Sequence, residues 1–279
     1  MNIARISFVL AAGLVLLGGL ALAETWTITT ADGKGADAMV SATAGKEKVN
    51  EGAGKTMTVM AQPQGGRKAY IRFDLSKIED VKAIKGATLY LAPVPNTSAG
   101  VSIFNVFGLN DGEGEEWVEG NGGEDNEPAN ELTASNAPAW IKSSGGKYDP
   151  DKKTGGGVDS KKATFLGTFG FDNAGYELTK KGQPQPFSSQ ELADFIAKDT
   201  NKSITLIITK AVVDQQAIAN FATKEAGKNP PTLKLSTEPM PPTSAPAAST
   251  QPAASKPAAS KPAGEPASKP AAKKKGTAS

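Results

Sequence analysis

Between residues 24 and 236, apolar and polar positions alternate in short runs separated by Gly, Pro, Asn and Asp. Thr25–Thr30 opens the series with Trp26 and Ile28 on one side, and Ala36–Ala42 follows. In Thr56–Ala61, Met57 and Val59 share a face. In Ala69–Leu75, Tyr70, Arg72 and Asp74 stand opposite Ile71, Phe73 and Leu75. Similar runs fall at Ala87–Leu91, Val101–Phe107, Ala163–Phe169, Ser203–Thr209, Ala217–Phe221 and Thr232–Leu235. Successive side chains of a strand point to opposite faces, so this periodicity predicts ten short strands. With turn signals between them, they predict an all-β, antiparallel sandwich or barrel rather than a parallel α/β sheet. One short helix is predicted, with Ser188 and Glu191 as a capping box and Leu192, Phe195 and Ile196 as its apolar stripe.

Gly108–Gly157 breaks the pattern. It holds eleven glycines in fifty residues, and its large apolar groups are few: Leu109, Trp117, Leu132, Trp140, Ile141 and Tyr148. From Asp111 to Glu131 it carries nine carboxylates and no basic residue. The pattern predicts a long Gly- and acid-rich loop, and loops of that length usually carry function or lack order. Lys46–Lys85, by contrast, has nine cationic residues against five anionic ones, so an acidic and a basic region are both expected.

The two ends differ from the body. Arg5, the apolar run Phe8–Leu22 and the small-x-small site Ala21-Leu22-Ala23 predict a secretory signal peptide over 1–23. No later apolar stretch approaches the roughly 18 residues of a spanning helix. The chain is therefore expected outside the cytoplasm, secreted or in a bacterial cell envelope. Residues 237–279 are almost wholly Pro, Ala, Ser and Lys, with the near-repeat Pro252–Lys256 and Pro257–Lys261. Such a segment buries too little apolar surface to offset its ordering entropy, so a disordered tail is expected. The tail carries a net charge of +4 and the body, residues 24–236, a net charge of −3. A basic tail can hold an anionic surface polymer, or it can serve as a solvated spacer.

Composition narrows the chemistry. The 279 residues include no Cys and no His. That excludes disulfides, a thiolate nucleophile, a Ser-His-Asp triad and the usual zinc sites. Any metal must be held by oxygen, which favours a hard cation, Ca²⁺ or Mg²⁺. Gly155-Gly156-Gly157 lacks the ending and context of a phosphate loop, and no specific nucleic-acid binding is expected.

Several motifs recur in a definite order: Ala36-Asp37-Ala38-Met39-Val40, Thr56-Met57-Thr58-Val59, Arg67 through Leu75, and Ile84-Lys85-Gly86-Ala87-Thr88-Leu89. Trp117-Val118-Glu119, Thr133 with Asn136-Ala137-Pro138, Phe221 through Glu225, and Pro231-Thr232-Leu233 complete the series. The series resembles the bacterial DNRLRE-domain family, which overlaps carbohydrate-binding module family 96, over roughly Ala36 to Ser236. The resemblance implies a jelly-roll β-sandwich that is secreted and binds polysaccharide, alginate being the acidic ligand of some members. The chain departs from the pattern at Met39, Ala134-Ser135 and Lys224.

Candidate sites follow from side-chain chemistry. Lys46, Lys48, Lys55, Arg67, Lys68 and Arg72 offer cations to a carboxylated sugar, and Tyr70 lies on the same strand face as Arg72. The same charges serve equally as structural partners of neighbouring carboxylates. Asp37, Asp74 and Glu225 are the candidate ligands of a structural Ca²⁺, although their spacing matches no dedicated loop. Glu115, Glu116 and Glu119 beside Trp117 raise a glycosidase alternative, and a lyase using Tyr with Arg or Lys is open on composition. The sequence reads as a non-enzymatic, secreted polysaccharide-binding module. The alternative is a structural envelope or extracellular-matrix protein that contacts other proteins.

Overall fold

The computed structural model describes residues 23–42, 45–62, 65–94, 101–122, 131–141, 149, 156–172, 183–211 and 218–242. The expected signal peptide (bar its last residue) and most of the expected tail lie outside these residues. Among them, no helix is long and apolar enough to cross a membrane.

Among the described residues, eleven strands form two sheets, with each pair of neighbouring strands antiparallel. The smaller sheet orders β1 (Thr25–Thr29), β11 (Thr232–Ser236), β5 (Gly86–Leu91) and β8 (Gln185–Ser188). The larger orders β10 (Ile218–Ala222), β3 (Thr56–Gln62), β4 (Gly65–Asp74), β9 (Ser203–Lys210), β6 (Val101–Leu109) and β7 (Ala163–Asp172). β2 (Ala36–Ser41) joins it along β4, pairing Ala36 with Arg72 and Ser41 with Arg67.

Alternation decides what each face buries. Ala69, Ile71 and Phe73 of β4, with Ile204, Leu206 and Ile208 of β9, meet Leu89, Leu91, Leu233 and Leu235 of the smaller sheet. Phe104, Phe169, Phe171 and Phe221 fill one end of this core, with ring centroids 5.0–6.5 Å apart. An α-helix, α1 (Gln190–Ala197), closes the core with Leu192, Ala193 and Ile196. Its cap is Ser189, whose hydroxyl accepts from the Leu192 amide at 3.0 Å, not Ser188. Ser188 is instead the last residue of β8 and donates its hydroxyl to the Ala87 carbonyl. The predicted Ser188–Glu191 capping box therefore does not form: the sheet claims Ser188, and with Ser189 as the cap the third helical position is Leu192, so only the serine half of the motif remains.

The outer face of the larger sheet carries a second core. Ala36, Ala38 and Val40 of β2, Tyr70 of β4, Phe107 and Leu109 of β6 and Ile207 of β9 pack against Trp117, Leu132, Ala139 and Val158. Trp117, Leu132 and Ala139 come from the expected loop, and Val158 follows it directly. Its described parts thus form a third layer, and the few large apolar residues in the segment explain why it folds down. Asn50 stitches the layer together: its amide donates to the carbonyls of Glu119 and Leu132 and accepts from the amides of Gly52 and Gly122. Gly52 leaves no room for a Cβ against the Glu119 carbonyl, so the two segments approach as only glycine allows.

Trp117 anchors this layer. It is 6% exposed and donates Nε1–H to Thr205 Oγ1 at 3.1 Å. Truncating a buried Trp removes its transfer energy and leaves a cavity, so Trp117→Ala is expected to destabilise the chain by about 3–5 kcal/mol. Trp117→Phe, which loses mainly the hydrogen bond, should cost about 1–2 kcal/mol. Denaturant titration checks both; a Trp117→Ala loss below about 1 kcal/mol would mean that the layer is not packed as described.

Candidate functional site

The residues proposed for ligand binding separate into two groups. Lys46, Lys48 and Lys55 are exposed between β2 and β3. Arg67 is half-buried and shares the strand parity of Ala69 and Ile71, away from Lys68, Tyr70 and Arg72. Those last three lie under the third layer. Lys68 is 1% exposed; its ammonium donates to the carbonyls of Ile141 (2.9 Å) and Gly157 and lies 3.8 Å from the centre of the Trp140 ring. Tyr70 is fully buried and donates its hydroxyl to the Pro138 carbonyl at 2.9 Å. Arg72 donates to the carbonyls of Lys34, Glu115 and Trp117, with its guanidinium 4.8 Å from the Trp117 ring centre. Burial pushes the Lys68 ammonium down to about 7 and the Tyr70 hydroxyl up. Each of the three side chains thus already holds loop carbonyls.

Beside Arg72 the third layer leaves a groove of about 650 Å³. Lys34, Asp74, Ser76 and Ser203 stand on the sheet side, and Glu115, Glu116, Val118 and Glu119 on the loop side, with Asn201 near one end. Asp74, a proposed metal ligand, works here as a turn cap. Its carboxylate accepts from the amides of Lys34 and Ser76, both at 2.8 Å. Burial raises its pKa, but these amides, the Ser76 hydroxyl and the Lys34 charge together outweigh that and hold it below the ordinary value. Lys34 and Glu116 are exposed, so both signs of charge are offered to a ligand.

The other two proposed metal ligands do come together. Asp37 on β2 and Glu225 in the 3₁₀ turn Lys224–Ala226 join Glu119 of the third layer. One oxygen from each lies within 4.8 Å of the others. Asp37 is fully buried and accepts from the Lys224 amide at 3.2 Å, while its own amide donates to Glu119 Oε1 at 3.0 Å. The Lys224 ammonium donates to Glu119 Oε2 and to the Gly35 carbonyl, and lies 4.0 Å from Glu225 Oε1. Burial pushes the Asp37 carboxyl up to about 7; the Thr30 hydroxyl opposes this, and the Glu225 and Glu119 carboxylates add to it. Burial likewise raises Glu119, against the pull of Lys224. An acidic cluster of this kind could hold a metal ion, and its all-oxygen donors suit a hard cation. The sequence did not single out Glu119 as a ligand, since it is one of nine carboxylates in a segment that reads as loop.

No family model matches the chain, and no curated protein sequence matches it. The DNRLRE resemblance therefore rests on motif order.

Glu115 gives a test of the groove's electrostatics. It is 5% exposed, accepts from the Asn201 amide at 2.6 Å and has its other oxygen buried without a hydrogen-bond partner. Burial pushes its carboxyl up to about 7, opposed by Asn201 and helped by Asp111 and Asp199. The folded chain then holds this proton to higher pH than the unfolded chain. Its contribution is full below about pH 4.5 and is lost as pH rises towards 7. Glu115→Gln should leave stability unchanged near pH 4 and raise it by about 1–3 kcal/mol at pH 8. Chemical unfolding at the two pH values checks this, and equal effects at both would contradict the burial argument.

Proposed function

We propose that the chain is a secreted, non-catalytic module that binds polysaccharide along the groove between the third layer and the ends of β4 and β9. In this reading the two sheets form a jelly-roll-like sandwich. The observation that carries it is the groove's lining. Exposed Lys34 and Glu116, the hydroxyls of Ser76 and Ser203, the Asn201 amide and the exposed apolar Val118 offer donors, acceptors and an apolar patch along one shallow channel. A sugar chain presents hydroxyls that both donate and accept, together with apolar ring faces, and a mixed lining of this kind matches it. Exposed Lys46, Lys48 and Lys55 supply the cations for an acidic polymer, and the Lys-rich tail adds longer-range attraction to it. Arg72 and Tyr70 act from beneath, by holding the loop that forms one wall.

The reading also gives Asp37, Glu119 and Glu225 a structural Ca²⁺. Glu119 belongs both to that cluster and to the groove wall, so an ion there would steady the wall. Thermal unfolding should shift upward by several degrees in millimolar CaCl₂ and return with chelator; no shift would remove calcium from the account.

Affinity electrophoresis of the chain through acidic and neutral polysaccharides tests the binding. Retardation by an acidic polymer is expected, weakened about tenfold in Lys34→Ala/Glu116→Ala, with circular dichroism unchanged. Retardation that the double variant leaves intact would move the ligand off the groove. Passage through every polymer without retardation would favour a structural role through protein contacts.

A further inference from the structure

We infer that the Lys224 ammonium is a tethered stand-in for a divalent cation, and that a hard dication entering the Asp37–Glu119–Glu225 pocket displaces it. The inference rests on the cation reading of this cluster and goes beyond it by naming what the ion replaces. Two observations besides the gathered carboxylates point to an absent ligand. Thr30 is fully buried and its hydroxyl completes no hydrogen bond, yet it lies close enough to Asp37 to favour the carboxylate. Glu225 Oε2 is also buried without a hydrogen-bond partner. Buried polar oxygens are normally satisfied, and two orphans around one acidic pocket mark an incomplete coordination shell.

Lys224 fills that shell only partly. Its single ammonium reaches Glu119 and the Gly35 carbonyl, but stands 4.0 Å from the nearer Glu225 oxygen. Arg72 also feels the Glu119 charge, but its hydrogen bonds go to backbone carbonyls. A hard dication takes six to eight oxygens at roughly 2.3–2.6 Å, and can use three carboxylates, the Gly35 carbonyl and the Thr30 hydroxyl together. Lysine has three donors and no such reach. The route out for the displaced ammonium exists, since the Lys224 side chain is 22% exposed. Backbone supports the exchange: the Lys224 amide already donates to Asp37, so the turn can stay in place while the side chain leaves.

The experiment uses the full chain with CaCl₂ as the probe. Calcium affinity is measured by calorimetry in wild type, Lys224→Met and Lys224→Gln. The rate at which an amine-reactive label modifies Lys224 in wild type is followed by mass spectrometry with and without calcium. The expected results are at least tenfold tighter calcium binding in both variants, and Lys224 labelling several-fold faster with calcium while Lys46 and Lys48 keep their rates. Wild-type calcium binding that neither variant tightens, with labelling of Lys224 unchanged or slower, would overturn the exchange and leave the calcium site standing. No calcium binding in wild type or in either variant would overturn both. Should the variants fail to fold, the labelling result in wild type decides alone.

Discussion

Three hydrogen-bond donors on the outward face of β4 must be buried with acceptors or left in water, and the rest of the architecture follows from how they are satisfied. Lys68, Tyr70 and Arg72 alternate with Ala69, Ile71 and Phe73, so the strand that drives apolar groups into the inter-sheet core drives these three the other way. Burying an unpaired ammonium or guanidinium is very costly, and a buried hydroxyl is costly to a lesser degree. The third layer meets that demand with backbone carbonyls from Ile141, Gly157, Pro138, Glu115 and Trp117, and the turn between β1 and β2 adds that of Lys34. Because the acceptors are carbonyls and not carboxylates, the layer is positioned by its backbone path. Its own carboxylates stay available for the groove and the cation cluster.

The same layer builds both candidate sites. Trp117 faces the sheet, and its neighbours Glu115, Glu116, Val118 and Glu119 distribute between buried and exposed positions around it. Glu119 turns towards Asp37 and Lys224, where it joins a loop, a strand and a 3₁₀ turn that are far apart in sequence. Asn50 fixes the backbone of that stretch from beneath by using all of its amide's hydrogen-bonding groups on four backbone partners. Groove wall and cluster are therefore coupled through one carboxylate on one braced segment.

Much of this was legible in the sequence and part was not. The alternation in Ala69–Leu75 marks β4 and its two faces correctly, because a period of two is unambiguous where one face is wholly apolar. Asp37 and Glu225 stand out as oxygen ligands in a chain without His or Cys, and they do meet. Asp74 does not join them, since two nearby turn amides claim its carboxylate. β8 escapes the pattern: it is four residues long and contains Pro186, tolerated because β8 is an edge of the smaller sheet. The basic residues of β4 read as a surface because nothing local says what covers them. Apart from the Lys34 carbonyl, their acceptors lie 43–89 residues away, in a segment whose glycines and carboxylates look like solvent-facing loop.

Hydrogen exchange along residues 110–162 tests most directly whether this segment is a folded layer. The account predicts that the amides of Leu132 and Asp159, which donate to the carbonyls of Val118 and Ala139 at 2.8 and 2.9 Å, exchange nearly as slowly as those of β4. Exchange of these amides at the rate of an unstructured peptide, with β4 still protected, would contradict it.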